Sequence, residues 1–265
     1  MEPLQAPINR FARALIVPRR LLALHPRKRG NAGDAAALAP AITLGVVAAF
    51  EGFVEEFVAT GAMIRGLGLA QVAKAVGNLN NPDVAAFEKL VVGQLGVPAS
   101  GIGSGFSVEY WRPPAPGATW WQPADLDWAS AKQDAEAWMQ VRHLLTHGLT
   151  SGWLAEHWPG PLKANARPAS SVLRETQTGR HTLVIHGAIT CARIYVETSR
   201  HLAALTAQHF GRNIDVDILP DFPLYKEQAY KKTPPPAPAE VGDIGEELTE
   251  EGEDAPPPQD AAAGP

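Results

Sequence analysis

The sequence predicts an all-α domain, and three observations carry that prediction. Apolar residues recur every three to four positions over long segments, strict alternation is missing, and Gly, Pro and Asn gather where the periods stop. With 45% hydrophobic and 19% charged residues in 265 positions, the chain can bury a real core, in one large domain or two small ones.

Residues 1–38 read as a basic N-terminal arm, with Arg10, Arg13, Arg19, Arg20, Arg27, Lys28 and Arg29 against only Glu2 and Asp34. Leu4, Ile8, Phe11 and Leu15 stand at helical spacing, which predicts an amphipathic helix ending before Pro18. Such an arm either contacts phosphates or, more ordinarily, packs its few apolar residues on the body.

Residues 39–228 read as the helical domain. A long helix should start near Pro40, which suits a first turn, and run to about Arg65, with Leu44, Val47, Phe50, Val54, Phe57 and Val58 on one face. Glu51, Glu55 and Glu56 fall mostly off that face, and Gly66 and Gly68 punctuate its end. A second helix over about Leu69–Val76 leads into the turn Asn78-Leu79-Asn80-Asn81-Pro82. Asp83 can cap a third through about Leu95, with Val84, Phe87, Leu90 and Val91 facing the core. Gly96–Asp127 has no sustained period and reads as a long loop, whose Trp111, Trp120 and Trp121 either stack on bases or cover a core edge. Helical character returns from Trp128 to His147, where Gly148 stops it. A second irregular stretch, Leu149–Arg180, holds Trp153 and Trp158. A last helix should span about Thr182–Phe210, using Ile185, Ile189, Ile194, Val196, Leu202 and Leu205.

Residues 229–265 read as a disordered, Pro-rich acidic tail with almost nothing to bury. From Thr233 onward there are nine acidic and no basic residues, so the net −5 conceals a body of 19 acidic and 23 basic residues over the first 232 positions. That mildly basic body suits a polyanion without demanding one. Cys191 is alone, so no intrachain disulfide forms, and a cytoplasmic setting fits. The apolar run Ala35–Phe50 is shorter than the roughly 20 residues a span needs, so no membrane partner is expected.

The most informative segment is Val141-Arg142-His143-Leu144-Leu145-Thr146-His147-Gly148. Arginine binds phosphate through a permanently charged planar fork, and histidine exchanges protons near neutral pH. RNA cleavage needs a 2′-hydroxyl deprotonated, phosphoryl charge stabilised and a 5′-oxygen protonated, which Arg142 and His147 can supply without a metal or cofactor. On an ideal helix the two side chains stand about 140° apart. They converge if the helix loosens near Gly148, or if a second copy presents its own segment across one cleft, which predicts a homodimer.

Arg-x4-His-Gly at a helix end resembles the hallmark of HEPN domains. Phe50-Glu51-Gly52-Phe53-Val54-Glu55-Glu56-Phe57 is similar to the first long helix of the branch linked to RNA ligase and phosphatase genes. Leu79-Asn80-Asn81-Pro82, Phe87 and Leu95-Gly96-Val97 are similar to that branch's middle segment, and coverage runs from about Ala39 to Phe210. The resemblance implies a helical bundle that dimerises and cuts RNA without metal, often as a toxin or antiviral effector, with an antitoxin protein as neutralising partner. It implies that Arg142 holds the scissile phosphate and His147 is the acid–base group. His143 fills a place usually polar, commonly Asn, and can supplement the proton chemistry or orient substrate. Some members carry a Tyr two places after the motif His that an antitoxin modifies; here Leu149 stands there.

Other readings stay open. Arg142 can make a plain ion pair and His147 a helix-end hydrogen bond. His143 and His147, at i and i+4, can share a metal with His157 or His186, although Leu144 stands where a His-Glu-x-x-His zinc site needs Glu. Gly103-Ser104-Gly105 lacks the full Gly-x-Ser-x-Gly elbow, and Gly101-x-Gly-x-Gly lacks the strand and helix of a dinucleotide site. The same bundle can also be a non-catalytic RNA- or nucleotide-binding module, an antitoxin or a scaffold.

Overall fold

The computed structural model describes residues 2–26, 33–77, 79, 81–115, 121–148, 156–160 and 166–224. Two helices open the chain, α1 (Gln5–Ala14) and α2 (Ile16–Leu24). Leu4, Ile8, Phe11 and Leu15 are all buried, as is Leu22. The segment read as an arm therefore belongs to the main core, and residues 1–227 form one compact unit. The first helix ends before Pro18 as expected, and Pro18 itself sits in the first turn of α2, where its missing N–H would have had no partner anyway. Its ring lies on Gly45, where an added Cβ would meet Pro18 Cγ at 3.0 Å. Arg10 pairs with Glu56, while Arg13, Arg19 and Arg20 are exposed. Arg27, Lys28 and Arg29 lie outside the described residues.

A short 3-10 turn (Gly33–Ala37) leads into α3 (Leu38–Ile64), the hub of the fold. Its sequence is long and apolar enough to cross a membrane, because the helix continues unbroken past Phe50, where the apolar run was taken to stop. Within this fold Ile42, Val46, Phe50, Val54, Phe57 and Val58 are core, packed against helices on several sides. Its end is a hydrogen-bonded C-cap: Gly66 takes φ +81°, its N–H donates to the Met63 carbonyl and the Leu67 N–H donates to that of Ala62.

The next helix, α4, spans Leu69–Val76, and α5 spans Val84–Gly93. Asp83 caps α5 by accepting from the Ala86 N–H at 2.8 Å. Asp83→Ala is expected to lower stability by about 1 kcal/mol, read as a lower urea midpoint at unchanged slope; an unmoved midpoint would leave the cap without energetic weight.

The long loop is only partly irregular. It holds an antiparallel ribbon, β1 (Val108–Arg112) with β2 (Gln122–Leu126), in which Tyr110 pairs with Ala124. Trp111 is buried and Trp121 stacks on His186, 5.4 Å between centroids, so these rings cover a core edge. Trp120 and Trp153 lie outside the described residues. After α6 (Trp128–Thr146) come a 3-10 turn (Ala169–Val172) and a two-residue ribbon, β3 (Arg174–Glu175) with β4 (His181–Thr182). Last is α7 (Ile185–His209), buried around most of its circumference. Its Thr190 hydroxyl accepts from the Trp111 N–H at 3.1 Å and so holds β1 on the helix. Arg193 and Arg200 donate to the carbonyls of Phe222 and Leu219, binding the segment that follows back along α7.

The mostly helical class thus holds, with two small ribbons added. An aromatic cluster joins four helices: Phe11 stacks on Phe53 at 4.6 Å, Phe87 meets Phe50, Phe53 and Phe57 edge-on, and Tyr195 lies 4.7 Å from Phe50. The tail read at 229–265 lies outside the described residues.

Candidate functional site

The Arg142 segment is placed by α6, whose start is fixed by Asp127 accepting from the Ser130 N–H at 2.8 Å. Its end is set by Gly148 at φ +64°, whose N–H returns to the Leu145 carbonyl at 3.1 Å. His147 is consequently the last half-helical residue, exposed at the helix terminus.

Arg142 reaches across to α3 and to the turn before α5. One terminal nitrogen donates to Glu51 Oε2 at 2.8 Å, and the other donates to Asn81 Oδ1 at 3.1 Å. The two charged side chains are only 19% and 15% exposed, so solvent screens this pair far less than a surface one. Asn81 takes φ +51°, a left-handed conformation that Asn tolerates, and it precedes Pro82, which disfavours the ordinary helical region there. Burial pushes the Glu51 carboxyl above its ordinary range; Arg142 pulls it down and Glu55 adds to the rise. Glu51 Oε1 is buried without a hydrogen-bond partner among the described residues. Beneath this pair the wholly buried Tyr195 phenol donates to the Ala135 carbonyl at 2.8 Å, and burial pushes it well up, so it stays neutral.

His143 and His147 come together one turn apart, with ring centroids 4.3 Å from each other. Burial, then the charges of His147 and Arg142, hold the His143 imidazole below the ordinary histidine range. The structure therefore gathers the three sequence-predicted residues in two linked pieces. Arg142 is clamped by Glu51 and Asn81, the histidines pack on each other, and His143 feels both charges. Glu51 and Asn81 were legible only as an off-face acid and a turn residue.

Among the described residues no three His, Cys, Asp or Glu side chains gather as metal ligands. His157 is exposed, and His186 lies between Trp111 and Trp121. Gly101–Gly105 forms successive turns, not a strand-to-helix elbow.

Fold and site together define a mostly helical domain with an Arg–His cluster at the C-terminal end of one helix. In comparisons with family models, curated proteins and solved structures, nothing matches this chain. The likeness to HEPN domains rests on the quoted segments alone.

Proposed function

We propose that this chain is a HEPN-like, metal-independent endoribonuclease that cuts RNA with Arg142, His143 and His147 at a cleft between two copies, as a cytoplasmic toxin or phage-defence effector. One observation carries this reading: a guanidinium fixed by Glu51 and Asn81 acts electrostatically on His143, one of two histidines in mutual contact. Arg142 holds the phosphate and offsets charge developing on its oxygens. The two adjacent imidazoles can serve as one proton acceptor and one proton donor. His143, held toward its neutral form, takes the proton of the 2′-hydroxyl as the 2′-oxygen attacks phosphorus. The P–O5′ bond breaks, and His147 as imidazolium protonates the leaving oxygen. The products are a 2′,3′-cyclic phosphate and a 5′-hydroxyl end.

The Arg142–Glu51 pair also favours a second reading. A guanidinium offset by a neighbouring carboxylate grips phosphate less firmly, which suits a non-catalytic RNA-binding, antitoxin or scaffold module. Incubating the purified protein with mixed RNA in EDTA separates the two. Cleavage leaving cyclic phosphate ends, lost in His147→Ala and Arg142→Ala, is expected; intact RNA in every lane, with the fold retained, favours the module. Sedimentation of the wild type should give twice the monomer mass.

A further inference from the structure

Two turns before Arg142, an acid interrupts the apolar face of α6. Ala131, Ala135 and Trp138 on that face are fully buried, and Asp134 among them is only 5% exposed. A carboxylate there requires a partner, and Arg167, arriving just ahead of the Ala169–Val172 turn, forms an ion pair with it. The Arg167 carbonyl in turn accepts from Gln140 Nε2, tying this segment to α6.

Beside the pair opens a cavity of about 270 Å³, walled by Tyr110 and Arg112 of β1, by Asp134, by Arg167 and Ser171, and by Thr190 of α7. Thr190 is committed to the Trp111 backbone, accepting from its N–H and donating to its carbonyl at 3.2 Å. The Ser171 hydroxyl is likewise committed, donating to the Pro168 carbonyl at 2.7 Å. Arg112 is exposed at the mouth. With Arg167 paired to Asp134, the exposed Arg112 leaves the lining with a net positive charge, which favours an anion. Planar forks from β1 and from the segment before the Ala169–Val172 turn match phosphate oxygens better than they match a single flat carboxylate. The volume lies just below the usual range for ligand pockets, which fits a phosphate inside with the rest of the molecule reaching toward the mouth.

We propose that this cavity binds a phosphate monoester, gripped between Arg112 and Arg167, at a site separate from Arg142. The monoester comes either from a free nucleotide or from the phosphorylated end of an RNA chain. Nothing in the proposal requires the chain to cut RNA.

The test is titration of the full-length protein with adenosine 5′-monophosphate, with adenosine as control. Saturable binding of the phosphate is expected, with adenosine at least tenfold weaker. Arg112→Gln, at the exposed mouth, should weaken binding tenfold or more. Arg167→Lys, which keeps a cation for Asp134 but removes the fork, should do the same. Arg20→Gln, at an exposed position of α2 outside both sites, should leave the affinity within twofold. Absence of binding, equal binding of adenosine, or sensitivity to Arg20→Gln without sensitivity to Arg112→Gln would overturn the proposal. Competition by a 2′-deoxy oligonucleotide, uncleavable by this chemistry, then assigns the source. Displacement only by its 5′-phosphorylated form identifies a nucleic-acid end, and no displacement by either form identifies a free nucleotide.

Discussion

Arg142→Ala is expected to reduce RNA cleavage by about 10²–10³-fold and to lower stability by about 1–3 kcal/mol. Two consequences arise because Arg142 has two jobs in the proposed reading. The catalytic loss follows from removing a charge aimed at the phosphoryl oxygens. The stability loss follows from leaving Glu51, already pushed up by burial and with Oε1 unpartnered among the described residues, without the cation that offsets it. Glu51→Gln separates the jobs. Its amide oxygen still accepts from Arg142, so the fork stays in place, but the guanidinium charge is no longer offset. RNA affinity should then rise, with cleavage kept within tenfold of wild type. His147→Ala removes a proton-transfer group that packs only at the exposed helix end, and should cost about 10²–10⁴-fold in rate with little change in the urea midpoint. Rates measured beside urea titrations of all three variants distinguish the readings. If Arg142 only ties α6 to α3, Arg142→Ala lowers stability while Glu51→Gln leaves RNA affinity where it was.

The legible parts of this fold are those whose signals are local. The cap at Asp83, the stop at Gly66 and the stop at Gly148 each act within one turn, so α4 falls on the expected residues and α3, α5, α6 and α7 end within a few of them. The first helix ends before Pro18 as expected, but the helix that Pro18 helps to open is not legible, because proline after a helix end and proline in a helix's first turn look alike in sequence. The β1–β2 ribbon escaped notice because Tyr110 and Trp111, adjacent in the chain, are both buried, which breaks the period of two that marks a strand. The site divides the same way. Arg142, His143 and His147 stand within six residues, so their grouping as a candidate site is visible in the sequence alone. Glu51 and Asn81 join Arg142 across sequence separations of 91 and 61, which no local pattern encodes. Asp134 had a signal that went unused: it occupies an apolar stripe position between Ala131 and Trp138. Its partner Arg167 lies in an irregular stretch that offers no periodicity.

That buried acid also sets the expected pH response of the fold. Burial raises the Asp134 carboxyl from 3.8 to about 6 against the opposing pull of Arg167. The folded chain therefore holds this proton more tightly than the unfolded one. Between about pH 4 and pH 6 the folded state binds more protons, so the Asp134 contribution to stability should fall as pH rises through that window. A shift of this size corresponds to roughly 3 kcal/mol at most, present as a penalty above the window and absent below it. Glu51, also raised, acts in the same direction. Asp134→Asn isolates the effect, because its amide oxygen still accepts from Arg167 but does not titrate. Urea unfolding of both proteins from pH 4 to pH 7.5 should show the variant gaining stability relative to wild type as pH increases. A difference flat across the window would mean that Asp134 is ionised throughout, with Arg167 and the adjoining cavity together meeting its charge. Arg167→Gln should push the step upward, since it removes the cation that pulls the carboxyl down among the described residues.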